Sequence, residues 1–334
     1  MAIRTTDREH EHGRAGERAH ERAHEPTPVT DEESLEFVRA SALTSGTSLT
    51  SGAGPAGGAA ANGGVVSAVG YRVAGQRPGV HLGLPSPFLT LVFSLDGPVC
   101  TGVTPRQALG DDAVRTDIVV GGLHQSPAYV EQPEHQAGIQ LAVHPLAARA
   151  LLGLPAAELT GEIVVSGTDV LGAAGAEVRE RMLEQDGWEE RFATLSGYLR
   201  ARAAAAEDAA GVRPEIAEAW AWLVRHRGAG TLSGLAAHVA LSPRRLTTLF
   251  RAETGLSPKQ AAGLMRFEHA KTTVVRGVAR GAVPELARVA VDCGYYDHSH
   301  LVRDFRRYTG LSPTGWLAEE CRNIQAGGHM NGEE

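Results

Sequence analysis

The sequence predicts an α+β multidomain protein. A β-rich domain covers residues 64–165, a helical hairpin 166–206, and an all-α domain 211–322 made of two helix-turn-helix units joined by a linker helix. Three observations carry this reading. Short runs of Val, Ile, Leu and aromatics, separated by turn formers, fill 64–144. From residue 168 the apolar spacing becomes helical. In the last third, one segment recurs at a constant offset of 55 residues.

At 334 residues the chain has room for about two domains. Residues 1–63 read as a disordered tail. DREHEHGRAGERAHERAHE is polar and low in complexity, and a short amphipathic piece surrounds Leu35, Phe37 and Val38. SGTSLTSGAGPAGGAAANGG has almost nothing to bury and cannot offset its ordering entropy. His10, His12, His20 and His24 could ligate a metal, but a solvated tail is the favoured reading.

The runs VVSAVGYRV, FLTLVFSL, IVVGGL and GIQLAVH then alternate with turns such as Asp96-Gly97-Pro98 and Gly121-Gly122. Strands at this spacing predict a sandwich or small barrel. His144-Pro145 opens a short helix that Gly153 closes. Val170, Leu171, Ala174, Val178 and Met182 mark one helical stripe, and Phe192, Leu195 and Leu199 a second. These two apolar faces need a partner, either the β domain or a second copy of the chain. The alanine-rich segment 200–212 connects to the last domain.

The repeat aligns LTTLFRAETGLSP (246–258) with LVRDFRRYTGLSP (301–313), with eight identities in thirteen positions. Two copies of one supersecondary unit follow. In the first, Leu232, Leu235, Ala236 and Val239 stripe a short helix and Ala240-Leu241 turns. Ser242-Pro243 caps a second helix that buries Leu246, Leu249 and Phe250 and ends at Gly255. In the second, Leu286, Val289 and Ala290 face inward and Gly294 turns. Asp297 or Ser299 then starts a helix burying Leu301, Phe305 and Tyr308, closed by Gly310. A linker helix over about 259–276 joins the units.

Net charge divides unevenly. Residues 213–322 hold 16 Lys+Arg against 10 Asp+Glu, a surplus of 6, while the rest of the chain stands at −13. Such asymmetry suits one domain that meets phosphates and one that does not. Only Lys259 and Lys271 are lysine, so arginine abundance by itself carries little weight. Outside the core stripes lie Arg244, Arg245, Thr247, Thr248 and Arg251 in the first unit, and His298, Ser299, Val302, Arg303, Arg306 and Arg307 in the second. A helix of this width fits the major groove of duplex DNA; Arg pairs with guanine, and Thr or Val methyls meet thymine.

The stretches LSGLAAHVALSPRRLTTLFRAETGLSP, LMRFEHA and ELARVAVDCGYYDHSHLVRDFRRYTGLSP resemble the AraC/XylS family of bacterial transcription regulators. The resemblance covers about a third of the chain and implies a duplex-DNA-binding regulator. It puts base reading on Arg244, Thr247, Thr248, His298, Ser299, Val302 and Arg303. Phosphate contacts are assigned to Arg245, Arg251, Ser257, Arg306, Arg307 and Ser312. It further implies a cupin-like N-terminal domain that senses a small-molecule effector or mediates a homodimer, and a contact with RNA polymerase. Phe88, Leu91, Phe93 and Tyr129 are candidates to line a pocket, with ordinary core as the plainer reading.

No enzyme is expected. Catalytic Ser, zinc-protease and nucleotide-loop motifs are missing, and Cys100, Cys293 and Cys321 are too dispersed for a zinc cluster or a disulfide framework. His81, His124, His135 and His144 form no HxH, so no metal and no cofactor is expected. Without a signal segment or a long apolar run, the expected location is the cytoplasm, not a membrane. Alternatives are an effector-free architectural protein or anti-activator and, more remotely, an enzyme with a DNA-targeting module.

Overall fold

A computed structural model describes residues 34–39, 64–161, 163–206, 211–281 and 284–325. The β region is two antiparallel sheets. The larger has the order β1 (Ser34–Arg39), β2 (Val65–Ala74), β9 (Gln136–Val143), β4 (Leu89–Ser94), β7 (Ile118–Gly121) and β10 (Val164–Ser166). The smaller runs β3 (Gly79–Gly83), β8 (Ala128–Gln132), β5 (Val99–Gly102), β6 (Val114–Thr116). A one-turn helix, α1 (Pro105–Ala108), links β5 to β6.

Strand β1 falls inside the stretch that composition reads as a tail, and corrects it there. Its six residues pair along β2, from Ser34 opposite Ala74 to Arg39 opposite Val69. Backbone pairing onto an open sheet edge decides this segment, not the poverty of its flanks. The four tail histidines and the Gly/Ser/Ala stretch lie outside the described residues.

Period-two alternation sets the two faces of the large sheet. Leu89, Leu91 and Phe93 of β4 are all but inaccessible on one face. They share a core with Ile139 and Leu141 and with Leu171, Val178 and Met182 of α3 (Gly167–Leu183). On the other face, Val92 and Val119 join Tyr71 and Val73 in a smaller cluster against Val99 of the small sheet. Leu91 and Phe93 are therefore core residues on the helical side, while Phe88 and Tyr129 are half-buried.

Helix α3 lays its apolar stripe on this sheet, and α4 (Trp188–Ala205) packs on α3 and on the short helix Ala148–Leu152, so the β region and that helix are their partners. Each fully buried side chain there, such as Val178 or Leu195, contributes about 1.5–3 kcal/mol relative to exposure. Ala174 is exposed and Gly175 stands on the stripe in its place, and Gly172 interrupts the helix with φ 65°. Arg179 pins α3 to the sheet, its Nε donating to the Ser94 carbonyl at 2.7 Å. Before the hairpin, a 3-10 turn (Pro145–Ala147) leads into α2 (Ala148–Leu152), and a second (Ala156–Leu159) follows. Gly153 ends α2 in the left-handed conformation.

The helical domain comprises α5 (Pro214–Arg225), α6 (Leu232–His238), α7 (Pro243–Thr254), α8 (Pro258–Ala279), α9 (Leu286–Asp292), α10 (His298–Thr309) and α11 (Pro313–Gln325). The linker helix α8 is longer than its apolar pattern predicts. Ser257 and Gln260 form a reciprocal capping box that starts it at Pro258. Ala261, Leu264, Phe267, Ala270 and Val274 are buried along it, so it is the central post of the domain. No helix among the described residues is long and apolar enough to cross a membrane.

Candidate nucleic-acid interface

Each unit is built by the same local physics. In the first, Thr231 caps α6 and its Oγ1 accepts from the Gly234 N–H at 3.0 Å. The chain turns through Ala240 at φ 53°, and the Leu241 N–H closes the turn on the Ala236 carbonyl at 2.9 Å. Ser242 Oγ then accepts from the Arg245 N–H, with Pro243 in the first helical position, and α7 begins. In the second unit the Tyr295 N–H closes on the Ala290 carbonyl at 2.9 Å, after Gly294 at φ 75°. Asp297, not Ser299, caps α10, its Oδ1 accepting from the His300 N–H at 2.7 Å.

Residues identical between the copies do identical work. Leu246 and Leu301, Phe250 and Phe305 are wholly buried. Thr254 and Thr309 each donate to the carbonyl four residues back, at 2.8 Å, and accept the N–H two residues on. Gly255 and Gly310 end their helices at φ 77° and 78°. Phe250 stacks on Trp220 with centroids 5.8 Å apart, and Phe305 meets Phe267 of α8 edge-on at 5.1 Å. The first contact ties α7 to α5, and the second ties α10 to the post.

The turns differ by one residue. Hydrogen bonding makes Tyr295 the counterpart of Leu241, yet the caps Ser242 and Asp297 lie 55 residues apart rather than 54. The extra residue is Tyr296. Tyr295 takes the buried place, at 5 % exposed, and Tyr296 stands 92 % exposed. Sequence reasoning on the recognition helices alone passes over Tyr296; aligning the preceding helices separately would have revealed the insertion.

The outer faces carry the predicted residues. Arg244, Arg245, Thr248 and Arg251 of α7 are exposed and Thr247 is half-buried. On α10, His298, Ser299, Arg303, Arg306 and Arg307 are exposed and Val302 is half-buried. Thr247 and Thr248 donate their hydroxyls back to the Pro243 and Arg244 carbonyls, at 2.8 and 3.1 Å. Among the described residues, Arg244, Arg245, Arg251, Arg303 and Arg306 take part in no ion pair at contact distance. Asp304 sits among His300, Arg266, Arg307 and Arg303, but burial dominates and pushes its carboxyl above the ordinary aspartate value. The half-buried Ser257 and Ser312 hydroxyls serve the helix starts that follow them, accepting from the Gln260 and Gly315 N–H groups.

Arg307, assigned to phosphate, has a partner in this structure. Its Nη2 donates to Gln125 Oε1 of the β region at 2.7 Å. Two more contacts join the β region to α7. Arg149 of α2 grips Glu253 with Nε and Nη2 at 2.9–3.2 Å. Gly255 lies so close to Thr160 that an added Cβ would come within 2.1 Å of the threonine Cγ2. His144 lies edge-on to Trp220 at 5.7 Å, and burial pulls its pKa down to about 4. The C-terminal ends of both recognition helices thus rest on the β region, and their N-terminal ends are open. Among the described residues no group of three or more His, Cys, Asp or Glu is placed to hold a metal ion.

Comparison with known proteins agrees with the repeat. A family described as "Helix-turn-helix domain" matches residues 235–319. The HTH-type transcriptional regulator GadX of Escherichia coli O6:H1, and its counterpart in O127:H6, are 35% identical to this chain over 95 residues. That match takes in 28% of this chain and 32% of each relative, so the chain spans about a third of the length of the curated relatives it matches. Among solved structures, ToxT from Vibrio cholerae O395 is similar with TM-score 0.40 and 12% identity, over 75% of this chain and 95% of that one. The C-terminal domain of AraT from Geobacillus stearothermophilus is similar with TM-score 0.30 and 20% identity, over 33% of this chain and 88% of that one. Residues 235–319, two copies of one capped unit on a central helix, thus match a helix-turn-helix domain family over their whole length.

Proposed function

We propose that this chain is a DNA-binding transcription regulator, with α7 and α10 entering two successive major-groove segments of one duplex. The observation that carries the reading is the pairing of two capped helices whose outer faces are rich in arginine that, among the described residues, makes no ion pair at contact distance. At 1.5 Å per residue the 22-residue post α8 is about 33 Å long, close to one turn of B-DNA. Arg244, Thr247, Thr248, His298, Ser299, Val302 and Arg303 then face base edges. The back-bonded hydroxyls of Thr247 and Thr248 leave their methyls for thymine. Arg245, Arg251 and Arg306, with the helix starts at Ser257 and Ser312, hold phosphate and set position without reading sequence. Arg307 joins them when its bond to Gln125 opens.

The β region acts as the sensor in this reading. A small molecule or partner that binds it alters DNA affinity only if it favours one arrangement of the interdomain contacts over another. Arg149–Glu253, Thr160–Gly255 and Gln125–Arg307 are the contacts through which that preference reaches α7 and α10. The reading extends to a homodimer and to contact with RNA polymerase, tested by sedimentation and by a polymerase pull-down. It is a binder's chemistry rather than an enzyme's. Burial raises the thiol pKa of Cys100, beside Glu131, and of Cys293, which keeps both protonated and poorly nucleophilic.

The test is selection of bound sites from random duplexes with the whole chain. Enrichment of one bipartite motif supports the reading, and recovery of unbiased sequence overturns it.

A further inference from the structure

The inserted residue of the second turn has a structural job to explain. At the matching point of the first unit the chain passes directly from half-buried Leu241 to the cap Ser242. In the second unit Tyr295 fills the buried place, and the additional Tyr296 is held outside with 92 % of its surface open. Its backbone is held on both sides, which sets where its Cα stands. The Tyr295 N–H is bound to the Ala290 carbonyl, Asp297 caps α10, and the Tyr296 N–H points to His300 Nδ1 at 3.4 Å. Exposed His298 and Ser299 follow immediately. A helix that enters the major groove by its N-terminal half brings the turn before it to the groove's edge, where the backbone phosphates run. An aromatic alcohol fixed there offers an uncharged donor to a phosphate oxygen, a contact that tyrosine side chains make in protein–DNA interfaces.

We infer that Tyr296 is a DNA-positioning residue of the second unit, its hydroxyl donating a hydrogen bond to a phosphate at the edge of the groove that α10 enters. The inference rests on the DNA-binding reading above. It adds an anchor that the first unit lacks, because no residue of the shorter turn occupies the equivalent position. A phosphate donor fixes register without reading bases, so its loss falls on every duplex alike. Because the donor carries no charge, its loss releases no counterions and leaves the salt dependence of binding untouched.

The experiment compares the full chain with Tyr296→Phe and Tyr296→Ala by fluorescence anisotropy on a selected duplex and a random one, across a salt series. Tyr296→Phe keeps the ring and removes only the donor. Binding should weaken about 3- to 10-fold on both duplexes, the worth of one hydrogen bond. The salt slope should match the parent, and circular dichroism should be unchanged. Binding of Tyr296→Phe equal to the parent overturns the inference, including the case in which only Tyr296→Ala loses affinity, since the ring and not the hydroxyl would then matter. Loss confined to the selected duplex overturns it too, as that is a base contact. The parent titration separates the two levels: a parent that prefers no duplex removes the DNA-binding reading itself, and this inference with it.

Discussion

Replacing Arg149 with alanine strips Glu253 of its partner at the joint between the β region and α7. The guanidinium meets the carboxylate through both Nε and Nη2, at 2.9–3.2 Å, so the pair is bidentate. Exposed ion pairs are worth about 0–1 kcal/mol, while removing one partner of a buried pair costs about 3–5 kcal/mol. Glu253's side chain is 11% exposed and Arg149's is 36%. The joint lies between those limits, and the loss should be about 2 kcal/mol. Most of that is the orphaned carboxylate rather than the attraction, so Arg149→Ala/Glu253→Ala should cost less than the two single losses added. A coupling of about 1.5 kcal/mol is expected from urea denaturation followed by tryptophan fluorescence, Trp220 being stacked on Phe250 of the same helix. Additive single losses, with coupling below about 0.3 kcal/mol, would show that the two side chains do not meet in solution and that the β region does not hold α7 there.

The remaining predictions concern the two recognition helices and the joint behind them. Arg303→Ala should relax preference at one base position, at a cost of about 1–3 kcal/mol, and equal loss on selected and random duplexes would reassign it. Arg306→Ala should weaken all duplexes alike and reduce the salt slope by about one; an unchanged slope contradicts a phosphate contact. Gly255→Ala and Gly310→Ala both force alanine into a left-handed cap, at about 1–2 kcal/mol each. Only Gly255 also faces Thr160, whereas nothing lies within 4 Å of a Cβ on Gly310, so Gly255→Ala should be the more damaging in thermal denaturation. Equal losses would refute the close approach. His144, held near 4 by burial against an ordinary value of 6.5, stays neutral in the folded chain while the unfolded chain takes up a proton. Stability should therefore be complete above about pH 6.5 and fall by about 3 kcal/mol as pH drops towards 4. His124 is shifted in the same direction, also by burial, so the contribution is isolated by the difference between the parent and His144→Asn. Parallel pH curves for those two proteins would contradict it.

The recognition units were legible in the sequence because their identities are mechanical. Leu246/Leu301 and Phe250/Phe305 fill the same cavities, Thr254/Thr309 make the same bonds, and Gly255/Gly310 adopt the same left-handed φ. Local capping and apolar period determine such helices, and both can be read residue by residue. The stripes Leu171–Met182 and Phe192–Leu199 were equally plain, but their partner was not, because an apolar face does not declare what covers it. Strand β1 was hidden since its pairing with β2 is a backbone property of an edge far along the chain. The joint escaped for the same reason: Arg149 and Glu253 are separated by 104 residues, and Arg307 and Gln125 by 182, with no local signal at either end. Tyr296 is visible as a letter but hidden as an insertion as long as only the second helices are aligned, since the first helices run at an offset of their own, which the turn hydrogen bonds fix.

Reading of two neighbouring groove segments by one chain, as proposed above, requires two equivalent contacts on the duplex. Hydroxyl-radical footprinting of the whole chain on its selected duplex tests this most directly. Two protected blocks on one face of the duplex, centred about 10 base pairs apart, are predicted, with Arg244→Ala thinning one and Arg303→Ala the other. A single protected block unaffected by one of those substitutions, or protection no stronger than that left by an equal charge of competing heparin, would contradict it.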